Sequence, residues 1–212
     1  TYSLKVPATS NLLTVQPFDI NGNALTSLVK TITVNYTYSV PPASAVGFTE
    51  LMYQPAVPGA DYVELFNSAT NYTFDLTGWR INGLNYTFPE GSYLLPRSFL
   101  ILASDRTAFA AAYGPIVTVF DVYPGTLQTN GETLTLFKPS DTQPGGEEVV
   151  DRVRYEADVP WPLQAGGRGA ALQLLDPSQD HGRLLNWTDG YTWRQIVLTN
   201  YLKVNPASST NF

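Results

Sequence analysis

Short runs in which apolar and polar residues alternate recur along most of this 212-residue chain, each closed by Gly, Pro, Asn or Asp. A side-chain period of two fits a strand with one buried face and cannot fit a helix, so the pattern commits the chain to an all-β fold. Strands are expected over 47–53, 61–67, 71–76, 78–82, 84–88, 98–103, 116–122, 132–137, 149–155 and 169–175, with Asn82-Gly83 and Asn130-Gly131 as turn signals. Their short, even spacing predicts a sandwich or barrel. The composition agrees: only 14% of residues are charged and 13% are aromatic, which suits pleated strands joined by tight turns. One segment breaks the period, Asp105–Tyr113 (DRTAFAAAY), an alanine-rich run with Ser104 or Asp105 as N-cap and Gly114-Pro115 as its stop. One short helix is expected there.

The same inventory excludes several chemistries. There is no cysteine, so disulfides, thiolate metal sites and thiol nucleophiles are ruled out, and His181 is the single histidine. Ordinary zinc and Ser-His-Asp hydrolase sites are thereby disfavoured. A net charge of −6 with no basic cluster argues against nucleic-acid binding. No stretch approaches the ~20 apolar residues that cross a bilayer, so membrane insertion is not expected. The chain opens at Thr1 without initiator methionine or signal peptide, which reads as a processed chain or an excerpt of a longer one.

Residues 1–37 hold three alternating runs, TYSLKV, NLLTVQPF and LVKTITVNYT, the last two joined by Asp19-Ile-Asn-Gly-Asn23. The pattern resembles the C-terminal part of a bacterial immunoglobulin-like domain whose first strands are missing. Three strands cannot close a sandwich. Leu4, Val6, Leu12, Val15, Phe18, Val29, Ile32 and Val34 therefore need cover, from upstream strands, from the alternating segment Tyr191–Val204, or from a neighbouring copy. The segment Tyr38–Ala45, with its paired prolines, reads as a linker.

From Phe48 onward, blocks of sequence arrive in an order that resembles the lamin-tail domain of bacterial type. They are FTELMYQP with Glu50, Tyr53 and Pro55; DYVELFN; Phe74-Asp-Leu-Thr-Gly-Trp-Arg80; Tyr86–Pro89; Phe99–Ser104; the helix with Phe109 and Tyr113-Gly114; and LQTNGETLTL from Leu127 to Leu136. Asp151–Tyr155, Pro160-Trp-Pro162, Gly169–Leu175, Asp176-Pro177, Asp180 and Asn186-Trp187 complete the series. The resemblance implies an immunoglobulin-like β-sandwich used as a non-catalytic module, in nuclear lamins and in large secreted bacterial proteins. Residue chemistry agrees: in YVELF, Val63 alternates with Tyr62 and Glu64, Trp79 and Trp161 can fill space between sheets, and Gly78 and Gly131 suit positive φ or close approach. The expected organisation is a partial β-unit over 1–40, a linker over 41–46, the sandwich over 47–190, and a C-terminal segment, 191–212, that could add a strand.

Each candidate site also has a plainer structural role. Glu50 and Glu64 on adjacent strands could act as acid and base on a glycoside, yet strand-opening glutamates accepting hydrogen bonds explain them better. Asp19, Asn21 and Asn23 have the alternating oxygens that begin a calcium loop but no distal bidentate Glu, and Asp176, Ser178 and Asp180 form a second oxygen cluster beside His181; both read as turns. Gly166-Gly-Arg-Gly169 lacks the lysine and helix of a phosphate loop. Tyr72, Tyr86, Trp187, Tyr191 and Trp193 could form a sugar-stacking platform. Four N-x-T sequons, at Asn35, Asn71, Asn85 and Asn186, each have Tyr or Trp in the middle, so Asn and Thr are expected to face water and the ring to face the core.

The leading expectation is a non-catalytic binding or structural module outside the cell or on its surface, with no cofactor, whose partners are other protein modules or copies of itself joined by strand addition. Two alternatives remain. One is a carbohydrate-binding accessory module of a larger secreted enzyme, using Trp187, Tyr191 and Trp193. The other is a glycoside-cleaving enzyme using Glu50 and Glu64.

Overall fold

The computed structural model describes residues 9–36 and 40–190. Two compact units are distinguished, one up to Pro41 and one from Pro42 onward.

The first unit is a two-stranded antiparallel sheet, β1 (Thr9–Val15) against β2 (Lys30–Tyr36), with Leu13 opposite Ile32 and Val15 opposite Lys30. Its connecting loop is closed by Asp19, whose carboxylate accepts the Asn21 and Asn23 backbone N–H groups at 2.9 and 2.8 Å and the Asn23 carboxamide at 3.0 Å. The three donors hold that carboxyl below its usual range. The run TYSLKV lies outside the described residues.

The second unit contains β3 (Val46–Met52), β4 (Tyr62–Asn67), β5 (Phe74–Asp75), β6 (Arg80–Asn82), β7 (Tyr86–Thr87), β8 (Tyr93–Leu94), β9 (Phe99–Ala103), α1 (Arg106–Tyr113), β10 (Asp121–Val122), β11 (Gly131–Pro139), β12 (Glu147–Glu156), β13 (Leu172–Leu174) and β14 (Trp187–Thr188). A six-stranded sheet of order β10-β9-β4-β3-β13-β14 and a four-stranded sheet of order β12-β11-β6-β7 form the two layers, with β5 and β8 paired at one end. Between the layers lie Phe48, Leu51, Val63, Leu65, Leu102, Leu134, Leu136, Val153 and Tyr155, all fully enclosed. This is an immunoglobulin-like β-sandwich with one helix.

The helix begins where its sequence places it: Asp105 caps it by accepting the Ala108 N–H at 2.7 Å, and Gly114 ends it at φ +91°. Its Phe109 packs with Met52, Tyr62, Ala103, Val119 and Ala171. Tyr62 is therefore buried, a correction to the expectation of a polar face around Val63, because the helix covers that end of the sheet. At Gly131 (φ +107°) a Cβ would meet the Tyr155 carbonyl oxygen, so the strand pair β11/β12 can close only over glycine.

Several boundaries differ from expectation. The expected strands 71–76, 84–88, 116–122 and 169–175 shrink to Phe74–Asp75, Tyr86–Thr87, Asp121–Val122 and Leu172–Leu174, β8 and β14 are additional, and residues 42–46, read as linker, are part of the sandwich unit. There the Ala45 N–H donates to the Pro42 carbonyl at 2.9 Å, and Ala45 and Val46 are buried. The segment 191–212 lies outside the described residues.

The end of β4 is fixed by one carboxamide. Asn67 is fully buried; its Nδ2 faces the carbonyl oxygens of Tyr72, Leu94 and Leu95 at 2.8, 3.1 and 3.0 Å, and its Oδ1 accepts the Ala69 N–H at 2.9 Å. One side chain thus satisfies the turn after β4 and the approach to β9, where buried backbone groups need partners in place of water. Asn67→Ala should cost about 2–4 kcal/mol in denaturant unfolding, since it orphans several buried groups at once.

Candidate functional site

A cleft of ≈ 400 Å³ opens where the start of β3, the Pro42–Ser44 turn and the loop after β13 converge. Thr49, Phe66, Asp151, Pro177, Asp180 and His181 lie in its wall. Asp151 stands on β12 in the other layer; its Oδ2 accepts the Phe48 N–H at 2.7 Å and lies 2.7 Å from His181 Nδ1. A single oxygen thus joins the two sheets to the loop. Gly47 makes room for this: a Cβ there would sit 2.4 Å from His181 Cε1 and 2.6 Å from Asp151 Oδ2. Gly47→Ala should therefore displace the ring and cost about 1–3 kcal/mol, read by thermal unfolding together with loss of the His181–Asp151 contact in NMR spectra.

The loop itself is built from short side chains bonding their own backbone. Asp176 Oδ1 accepts the Ser178 N–H at 2.9 Å and hydroxyl at 2.7 Å, Gln179 donates to Oδ2 at 2.9 Å, and Asp180 accepts the Gly182 N–H at 2.8 Å. These oxygens close Asx turns, as the plainer reading expected. Among the described residues no group of three or more His, Asp or Glu side chains converges as metal ligands would.

Glu50 and Glu64 are brought together, directly opposite each other on β3 and β4. Thr49 donates to Glu64 at 2.8 Å, Gln173 donates to Glu50 at 3.1 Å, and the Tyr62 hydroxyl also bonds Glu50. Burial pushes the Glu64 carboxyl up to about 7, the Thr49 bond opposing and the Glu50 charge adding. A carboxyl raised in the fold contributes stability that is complete below about 4.5 and lost as pH rises through about 7. Glu64→Gln, which keeps the acceptor for Thr49, should leave stability unchanged near pH 4.5 and raise it by about 1–2 kcal/mol at pH 8, a figure reduced for solvent screening. Urea unfolding at the two pH values checks this, and the same variant tests the hydrolase alternative, which needs that carboxyl for turnover.

Among the described residues, Tyr72, Tyr86 and Trp187 do not form a shared aromatic platform. Trp187 is 4% exposed and its indole N–H donates to the His181 carbonyl at 2.8 Å. This corrects its reading as a surface residue, because its ring packs under the loop instead of offering a face to a sugar. Tyr86 is buried with its hydroxyl on Asp121, and the Tyr72 ring lies tilted against Phe74, centroids 4.8 Å apart. Tyr191 and Trp193 lie outside the described residues. Among the sequons, Asn85 and Thr87 flank a buried ring as expected. Asn186 does not follow the rule: it is buried, accepting the Asp176 N–H at 3.0 Å and donating to the Asp176 carbonyl at 2.9 Å.

Sequence reasoning gave His181 no partner and passed over Gly47 and Asp151 as a site. The available signal was a lone histidine beside an Asp-rich turn. A family model described as Lamin Tail Domain matches residues 39–157, more than half of the 212. No curated protein and no solved structure matches the chain.

Proposed function

The chain belongs to the lamin tail domain family, and on that premise we propose that it is a non-catalytic module, outside the cell or on its surface, that joins copies of itself by strand addition. The immunoglobulin-like fold of the family supports a binding or structural role in general. The observation that carries the finer reading is the first unit. Its face formed by Leu13, Val15, Ile32 and Val34 is apolar, with Val15 56% and Ile32 54% exposed, and Leu12 on the opposite face is 72% exposed. A two-stranded ribbon is marginal in water, and among the described residues no third strand pairs with its edges, which suits the addition of a further strand. The extracellular placement rests on the resemblance of the ordered blocks to accessory modules of secreted bacterial proteins, and the reading of residues 1–40 as the end of a preceding immunoglobulin-like domain rests on the run TVQPFDINGN. No helix among the described residues is long and apolar enough to cross a membrane.

Light scattering across a concentration series tests the assembly. The intact chain should form oligomers, and the double substitution Val15→Lys with Ile32→Lys should yield monomers whose sandwich unit melts as before, since these side chains lie in the other unit. A chain that stays monomeric up to its solubility limit overturns self-assembly.

A further inference from the structure

His181 is held in a way that fixes its charge. Its Nδ1 lies 2.7 Å from Asp151 Oδ2 and its Nε2 lies 3.3 Å from the Pro177 carbonyl oxygen, so both ring nitrogens face acceptors. A neutral imidazole has one N–H and one lone pair, and either tautomer would set a lone pair against an oxygen; only the imidazolium satisfies both contacts. Asp151 Oδ2 already accepts the Phe48 N–H, so it acts as a carboxylate acceptor at this point. The side chains of His181 and Asp151 are 13% and 11% exposed, enough enclosure for the charge on the ring to matter. The loop has a second tie, from the Trp187 indole to the His181 carbonyl.

We propose that the His181 imidazolium is a pH-operated latch that, while charged, holds the loop from Asp176 to Arg183 against Asp151 and the start of β3 and, once neutral, releases it. The groups facing the ring are Asp151 from β12, Asp180 and the Pro177 carbonyl from the loop, and from β3 the backbone of Gly47 and Phe48. Burial alone would lower the pKa, but the hydrogen bond and charge of Asp151, helped by Pro177 and Asp180, outweigh it and raise the value above 6.5. A histidine raised in the fold stabilises fully below about 6.5, and that contribution is lost as pH climbs through the folded value. The loop that forms one wall of the cleft is therefore held in mildly acidic solution and released in alkaline solution. Glu64 titrates nearby and touches the same wall through Thr49, so its effect must be separated.

Because His181 is the chain's only histidine, its ring signals in an NMR titration of the intact protein are unambiguous. The expected midpoint lies above 6.5. Amide exchange over residues 176–183, corrected for intrinsic base catalysis, should lose at least about tenfold in protection across that midpoint, equivalent to ~1.4 kcal/mol of opening. In His181→Gln the protection should be low and flat with pH; in Asp151→Asn, which retains an acceptor for Phe48, the midpoint should fall; in Glu64→Gln the loop's pH response should persist. A midpoint at or below 6.5, protection that ignores the midpoint, or an undiminished pH response in His181→Gln overturns the latch. Should Asp151→Asn not fold, the wild-type midpoint and the His181→Gln exchange profile decide the matter.

Discussion

The sandwich unit depends on the antiparallel pairing of β3 with β4, because both faces of that pair are covered at one end. In a two-layer sandwich one face of each sheet normally meets the other layer and the opposite face meets water. Here Leu51, Val63 and Leu65 fill the core, while Met52 and Tyr62, on the other side, lie under α1 with Phe109. The helix covers only part of that outer face. Further along, Phe66 stacks on Phe99 at 4.5 Å, and Glu50 and Glu64 occupy the stretch between. The raised Glu64 carboxyl is thus a product of architecture: a strand position that is usually solvated has been half-enclosed by its neighbours.

Local pattern predicted local elements well and tertiary cover poorly. The alternation placed β3, β4, β9, β11 and β12 within a few residues, and the helix and its Asp105 cap were readable because capping chemistry is local. The miss at Tyr62 has a physical cause, since period-two alternation says which residues share a face but not whether a helix from elsewhere will cover it. The same reason explains Trp187 and Asn186. Each looks exposed in a polar context, yet the loop from Asp176 folds over the first and hydrogen-bonds the second. β8 escaped notice because two residues, Tyr93-Leu94, carry no period at all. The 42–46 segment misled through its prolines, which suit a one-turn 3₁₀ helix that enters a strand as well as they suit a linker.

The site was the least legible part, and its geometry shows why. Gly47, Asp151 and His181 are far apart in sequence and belong to a strand, the opposite layer and a loop. Nothing in the neighbourhood of any one of them announces the others. Once the sandwich closes, the unoccupied space at Gly47 becomes the seat of the ring, and Asp151 becomes an anion that needs donors. Phe48 supplies one from the backbone and His181 the other. A buried carboxylate with two donors is tolerable where an unpaired one would be very costly, so the loop's position and the charge on its histidine are set by the same requirement.

The two units meet the same demand in different ways. In the sandwich, apolar residues on β3, β4, β11 and β12 are removed from water by the facing layer, and the polar groups that must go with them are satisfied by Asn67 and Asp151. Among the described residues the β1/β2 ribbon has no facing layer of its own: Thr14 and Thr31 pair their hydroxyls on one face at 3.2 Å, while on the other face Val15 and Ile32 are more than half exposed. Cross-strand pairs of this kind contribute only about 0.2–1 kcal/mol each, too little to hold a ribbon against the entropy of ordering it. Its order must therefore draw on apolar contact that the ribbon cannot make with itself. That ties the stability of the first unit to whatever strand or surface meets it.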